Sequence, residues 1–159
     1  MQNYIEKLRK LIGHRKFIHP GARIIIENAE GQFLMIRRKD NGNWGLPAGG
    51  LEEKETIQEC IIREVKEETG LDILDLKVIG IGSNPSRETV QYPNQDVVQY
   101  FNIEFYSNQF SGEIAVLDEE EVLSAQFVGK EIIAQLPENE RHTFESLAYF
   151  KKHGQVHLT

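Results

Sequence analysis

GGLEEKETIQECIIREVKEETGL, residues 49–71, decides how the rest of this chain is read. Its central part reads as one amphipathic helix that begins near Glu55-Thr56 and is stopped by Gly70, the residue that takes positive φ most easily. Ile57, Ile61, Ile62 and Val65 span an arc of about 140°, a core-facing stripe at helical spacing. Glu64, Glu67 and Glu68 fall within roughly 100° of arc in the last two turns, so they share one face beside that stripe. Electrostatically this is a poor arrangement. Like charges at i,i+3 and i,i+4 repel, and anions are disfavoured at the negative end of the helix dipole. A solvated face with ordinary Glu59–Arg63 and Arg63–Glu67 surface pairs is the bland reading. The sharper one is that three clustered carboxylates require a cation, and hard oxygen donors suit Mg²⁺ or Mn²⁺.

The spacing decides between them. Gly49, five residues, Glu55, seven residues, then Arg63-Glu64-Val65-Lys66-Glu67-Glu68-Thr69-Gly70-Leu71 reproduces G-x5-E-x7-R-E-U-x-E-E-x-G-U, where U is a bulky aliphatic. This resembles the signature of the Nudix hydrolases, and Trp44-Gly45-Leu46-Pro47 leads in as the common W-G-L-P does. One departure lies inside the first spacer, where Lys54 stands in place of the glycine of many members. The resemblance implies an α/β sandwich, with a curved mixed sheet between helices, and a single domain over residues 1–159. It implies Mg²⁺ or Mn²⁺ held by Glu64, Glu67, Glu68 and the Ala48 carbonyl. Arg63 would orient the carboxylates and Glu55 would support them. It further implies an additional acid near the strand after Asp118-Glu119-Glu120-Glu121, for which Glu121 matches best, with Glu64, Glu67 or Glu121 as catalytic base. The reaction implied is hydrolysis of a phosphoanhydride in a nucleoside diphosphate linked to another group. No SQPWPFP-like segment or coenzyme A pattern is present, and Pro85 lies one residue from the proline of ADP-ribose hydrolysing members. The alternatives are a module that senses a nucleotide or nucleotide sugar without cleaving it, and a pyrophosphohydrolase acting on RNA 5′ ends.

Composition frames the site. The chain has 159 residues, ordinary hydrophobic (40%) and charged (27%) content, and a net charge of −7. That charge, with no basic stripe, argues against nucleic-acid backbone binding and for a small nucleotide-derived substrate whose charge a bound metal neutralises. Cys60, the single cysteine, forms no intramolecular disulfide and reads as a packing residue. No stretch approaches a membrane span, and MQNYIEKLRKLIG is too charged for a signal peptide, which makes the cytoplasm the default. Homodimerisation is left open.

Along the chain, apolar residues at 4, 5, 8, 11 and 12 predict a short N-terminal helix over about 3–12, closed by Gly13. Gly21–Glu27 and Gln32–Arg38 are β-rich runs joined by Asn28-Ala29-Glu30-Gly31, a hairpin signal. Asp72–Gly82 reads as one or two strands and Ser83–Gln95 as a polar surface loop. Asp96–Tyr106 and Ser124–Val128 are predicted strands, Lys130–Gln135 a brief helix, and Glu138–His153 a C-terminal helix.

Outside the box, Arg37 and Arg38 end a strand just before the Gly-rich turn, where a guanidinium would neutralise and position a phosphate. Tyr92, in a turn-rich segment, is available to stack on a base or ribose. Trp44 reads as wedged beside the loop rather than as a stacking platform. The five histidines show no ligand spacing.

Overall fold

A computed structural model describes residues 3–159. Helix α1 (Tyr4–Ile12) precedes strands β1 (Phe17–Ile26), β2 (Phe33–Arg38), β3 (Trp44–Gly45) and β4 (Ala48–Gly50). Helix α2 (Ile57–Thr69) carries the box acids and leads to β5 (Asp72–Ile73) and β6 (Lys77–Gly82). A one-turn helix α3 (Pro85–Glu88), β7 (Thr89–Gln91), β8 (Val97–Ser107), β9 (Phe110–Ser111) and β10 (Val122–Val128) follow. A 3₁₀ turn (Lys130–Gln135), α4 (Glu138–His153) and β11 (His157–Leu158) complete the chain.

The larger sheet runs β11-β6-β8-β1-β4, with β7 also on β8, and a second runs β10-β2-β3. β1 lies parallel to β8 over ten residue pairs and antiparallel to β4. Both faces of β1 are covered, which is why its end, Ile24-Ile25-Ile26, is continuously apolar rather than alternating. Ala22, Ile24 and Ile26 pack with Cys60, Ile61 and Val65 of α2 on one side. Ile25 packs with Ile79, Met35 and Leu147 of α4 on the other. The result is the α/β sandwich with mixed, unclosed sheets that the sequence implied.

Two expectations are corrected. Asn28–Gly31 is a turn, but it does not join a hairpin: beyond a single bridge from Glu27 to Phe33, β1 and β2 diverge into different sheets. The apolar runs that suggested pairing with each other instead pair with β8 and β10, far along the chain. Ser83–Gln95 is not a plain loop either, because it holds α3 and β7. Glu88 of α3 is buried, where its carboxylate receives both guanidinium nitrogens of Arg23 at 3.0 and 2.6 Å. Arg23 also donates to Glu104 at 2.6 Å, so one arginine joins α3, β1 and β8 inside the molecule. Among the described residues, no helix is long and apolar enough to cross a membrane.

Candidate active site

Local chemistry starts α2 where the sequence placed it. Thr56 caps the helix, accepting from the Glu59 amide while the Glu59 carboxylate accepts from the Thr56 amide. Gly70 ends it at φ 79°, where a side chain would run into the backbone of Ala115. The acids then form a graded series. Glu68 is buried (4% exposed) and accepts from the Ala48 amide at 3.1 Å. The Glu64 side chain is 13% exposed and that of Glu67 44% exposed, so the row climbs from the interior to the rim.

Glu64 lies so close to β4 that a Cβ on Gly49 would overlap its carboxylate. That contact gives the first glycine of the box a physical reason: only a bare Cα lets the helix bring this acid against the strand. Burial, with Glu67 and Glu121 adding repulsion against Arg63, pushes the Glu64 carboxyl up to about 7. Burial and the neighbouring Glu64 hold Glu68 well above the ordinary carboxylate range. Glu121 stands at the rim, and partial burial together with Asp118 and Glu67 raises its carboxyl too. Its loop is tied to the end of α2, because the Leu117 and Asp118 amides both donate to the Glu67 carbonyl.

Arg63 organises this cluster from one side. Its guanidinium donates twice to Glu55 (2.8 and 3.0 Å), to Glu64 at 2.8 Å, to Glu67 at 3.2 Å and to the Gly50 carbonyl at 3.2 Å. Among the described residues, no group of three acids, histidines or thiols converges as a closed metal cage. The reason is visible in the contacts: Arg63 occupies Glu64 and Glu67, and the Ala48 amide occupies Glu68. The donor set nevertheless fits a hard divalent cation. Buried carboxylates held above their ordinary range are anions short of positive charge, and oxygen donors are what Mg²⁺ and Mn²⁺ take.

Of the two arginines ending β2, Arg38 is the one beside the acids. It donates to Glu140 of α4 at 2.8 Å, and the same carboxylate accepts from the Leu46 amide at 2.6 Å. Glu68 and Glu121 both feel its charge. Strand alternation sends Arg37 to the opposite face. There its Nε donates to the Gly42 carbonyl and its guanidinium lies 5.6 Å over the half-buried Trp44 ring. Tyr92 is bonded through its hydroxyl to that of Tyr100. The thiol of Cys60 is fully buried, and burial raises it to about 12, which suits packing and not nucleophilic attack. Glu140, missed in the sequence, is separated from Arg38 by 102 positions, and nothing local marks it.

A profile of the NUDIX domain matches residues 17–150. The chain belongs to the NUDIX domain family. Among Nudix relatives, it is 39% identical over 89 residues to a protein named ADP-ribose pyrophosphatase from Methanocaldococcus jannaschii, covering 53% of this chain and 52% of that one. It is 43% identical over 61 residues to an RNA pyrophosphohydrolase from Marinomonas sp., covering 38% of each. The matches thus span about half, or less, of the length of these curated relatives. Over the whole fold, a MutT protein from Methanosarcina mazei Go1 superposes with a TM-score of 0.68 at 25% identity, covering 87% of this chain and 98% of that one.

Proposed function

We propose that this Nudix domain hydrolyses the phosphoanhydride bond of a nucleoside diphosphate linked to another group, using Mg²⁺ or Mn²⁺. The observation that carries the reading is the graded acid series on α2, with burial raising Glu64 to about 7 and holding Glu68 well above the ordinary carboxylate range. Glu64, Glu67, Glu68 and the Ala48 carbonyl would hold the cation. When bound, a divalent cation neutralises the phosphate oxygens and makes water more acidic.

The chain's own residues supply the rest. Arg63 keeps Glu64 and Glu67 on one side of the site, and Glu55 fixes Arg63 in turn. Glu121, or Glu64 within the box, takes the proton of the attacking water at a carboxylate oxygen. A carboxyl near 7 both accepts and releases a proton at neutral pH. Arg38, braced by Glu140, presents positive charge to the phosphates, while Arg37, on the opposite face of β2, braces Trp44. Tyr92 contacts the nucleoside. Residues 1–159 act as one domain on a small substrate, in the cytoplasm. The test is turnover of a panel of nucleotide derivatives with Mg²⁺, read as phosphate after a coupled phosphatase. Wild type cleaves at least one class and Glu67→Gln cleaves none; cleavage by neither protein overturns the reading. The likeness to RNA pyrophosphohydrolases keeps a capped or triphosphorylated RNA end as a second substrate class. The net charge of −7 weighs against it, and a salt-dependent RNA affinity would support it.

A further inference from the structure

A cavity of about 350 Å³ opens where α1 faces the turn after β2 and the loop joining β7 to β8. Its walls are apolar: the rings of Tyr92 and Tyr100, Val98 of β8 and Ile5 of α1. The two tyrosine hydroxyls bond to each other at 2.5 Å, so their polarity is satisfied between them and their ring surfaces remain as walls. The volume is in the range of small-molecule pockets, and the two tyrosine rings offer faces on which an aromatic ring can stack.

The charges at the mouth say what kind of ring. Arg9 lines the cavity, but its guanidinium is committed: it donates to the Gly13, Arg15 and Val97 carbonyls and pairs with Asp96 at 3.3 Å. It has little left for a phosphate. Asp96 is itself engaged by His14 at 2.7 Å. Asp40, exposed at the mouth, offers carboxylate oxygens that accept hydrogen bonds. Asp40 lies two residues beyond Arg38, which is electrostatically close both to Tyr100 and to Glu68. The cavity and the acid cluster therefore flank one arginine.

The outer wall is unusual in origin. α1 lies wholly before residues 17–150, the span that matches the family. It has no fully buried residue, so it is not a core helix. Instead it is fastened on two sides, to the β7–β8 loop through Arg9 and His14 and to the box loop through Tyr4 on Glu52 and Lys7 on Glu53.

We propose that this cavity is the nucleobase subsite, that α1 is its outer wall, and that Asp40 selects a base bearing an exocyclic amino group. The proposal rests on the reading that the chain acts on a nucleotide derivative and names the part of the substrate the cavity takes. A carboxylate at the mouth favours a ring that brings a donor, and because water can replace that donor the preference is modest.

The experiment is calorimetric titration of the metal-free protein with adenosine and with purine riboside, which lacks the amino group. Wild type binds adenosine severalfold more tightly than purine riboside, and Asp40→Ala, which leaves no acceptor, reduces that preference to near unity. Ile5→Trp fills the cavity and weakens adenosine at least tenfold; Tyr92→Ala, on the other wall, gives the same loss should Ile5→Trp fail to fold. No adenosine binding by wild type, equal affinity for the two nucleosides, unchanged affinity in folded Ile5→Trp, or tighter binding of tetramethylammonium than of adenosine overturns the proposal. Hydrolysis measured on the same preparations separates the two readings. Turnover without adenosine binding leaves the proposed reaction standing and removes the subsite. Adenosine binding without turnover of any derivative does the reverse.

Discussion

Single side chains carry the sharpest expectations. Glu67→Gln removes one of the acids at the rim while leaving its backbone and volume in place. Turnover is expected to fall at least about 100-fold, as for loss of a group acting in the transition state, with the metal-free melting temperature unchanged or slightly raised. Near wild-type kinetics in this variant would falsify the assignment of the cluster. Lys54 is the box position that departs from the common glycine, and it stands at φ 70°, in the left-handed region. A side chain there costs about 1–2 kcal/mol relative to the right-handed region, whereas glycine is free to adopt it. Lys54→Gly is therefore expected to stabilise the fold by up to about 1 kcal/mol in urea unfolding, part of the gain being lost to the greater freedom of the unfolded chain. The acids of α2 were legible because they are contiguous and their spacing is specific. Glu140 was not, since its meaning comes only from Arg38 and the Leu46 amide, which the fold brings to it.

Elements were legible where one face or both faces of a segment obey a simple period. α2, α4 and β8 lie close to the spans their patterns predicted, because their apolar patterns, and for the helices the glycines that stop them, are local. Pairing was not local: β1 finds its parallel partner about eighty positions away, and the turn between β1 and β2 resembles any hairpin turn in sequence. α2 also couples the site to pH. The folded protein holds the Glu64 proton more tightly than the unfolded chain does. This carboxyl therefore costs nothing below its ordinary 4.5, and destabilises the fold progressively as pH rises from there through about 7. Metal-free protein is expected to lose melting temperature across that window. Millimolar Mg²⁺ is expected to recover it, most fully above pH 7, because a ligand that binds only the folded state stabilises by mass action. Differential scanning fluorimetry at pH 5, 6, 7 and 8, with Mg²⁺ or with a chelator, reads both trends. A Mg²⁺ effect that does not grow with pH counts against Glu64 as a ligand.

At the scale of the whole molecule, the buried Arg23 ties in α3, which contributes no residue to either hydrophobic cluster. It joins β1 to α3 and β8, and Glu104 in turn accepts from Thr143 of α4 at 3.1 Å. Removing the arginine strands two buried carboxylates, which typically costs about 3–5 kcal/mol, a large share of the stability of a domain this size. Arg23→Ala is thus expected to lower the urea midpoint far more than Glu119→Gln or Glu120→Gln in the exposed part of the acid run. Equal effects would mean that the network relaxes or admits water.

Cys60 has a consequence of its own. The chain's one thiol lies beneath the Gly50 carbonyl, fully shielded by the helix that carries the acids. A thiol-directed reagent in large excess has to wait for α2 to lift from β4, so the rate of covalent tagging measures how often that helix opens. Native-state labelling of the unaltered protein, followed by intact mass, thereby becomes a clock for the motion of the box, with no probe to install.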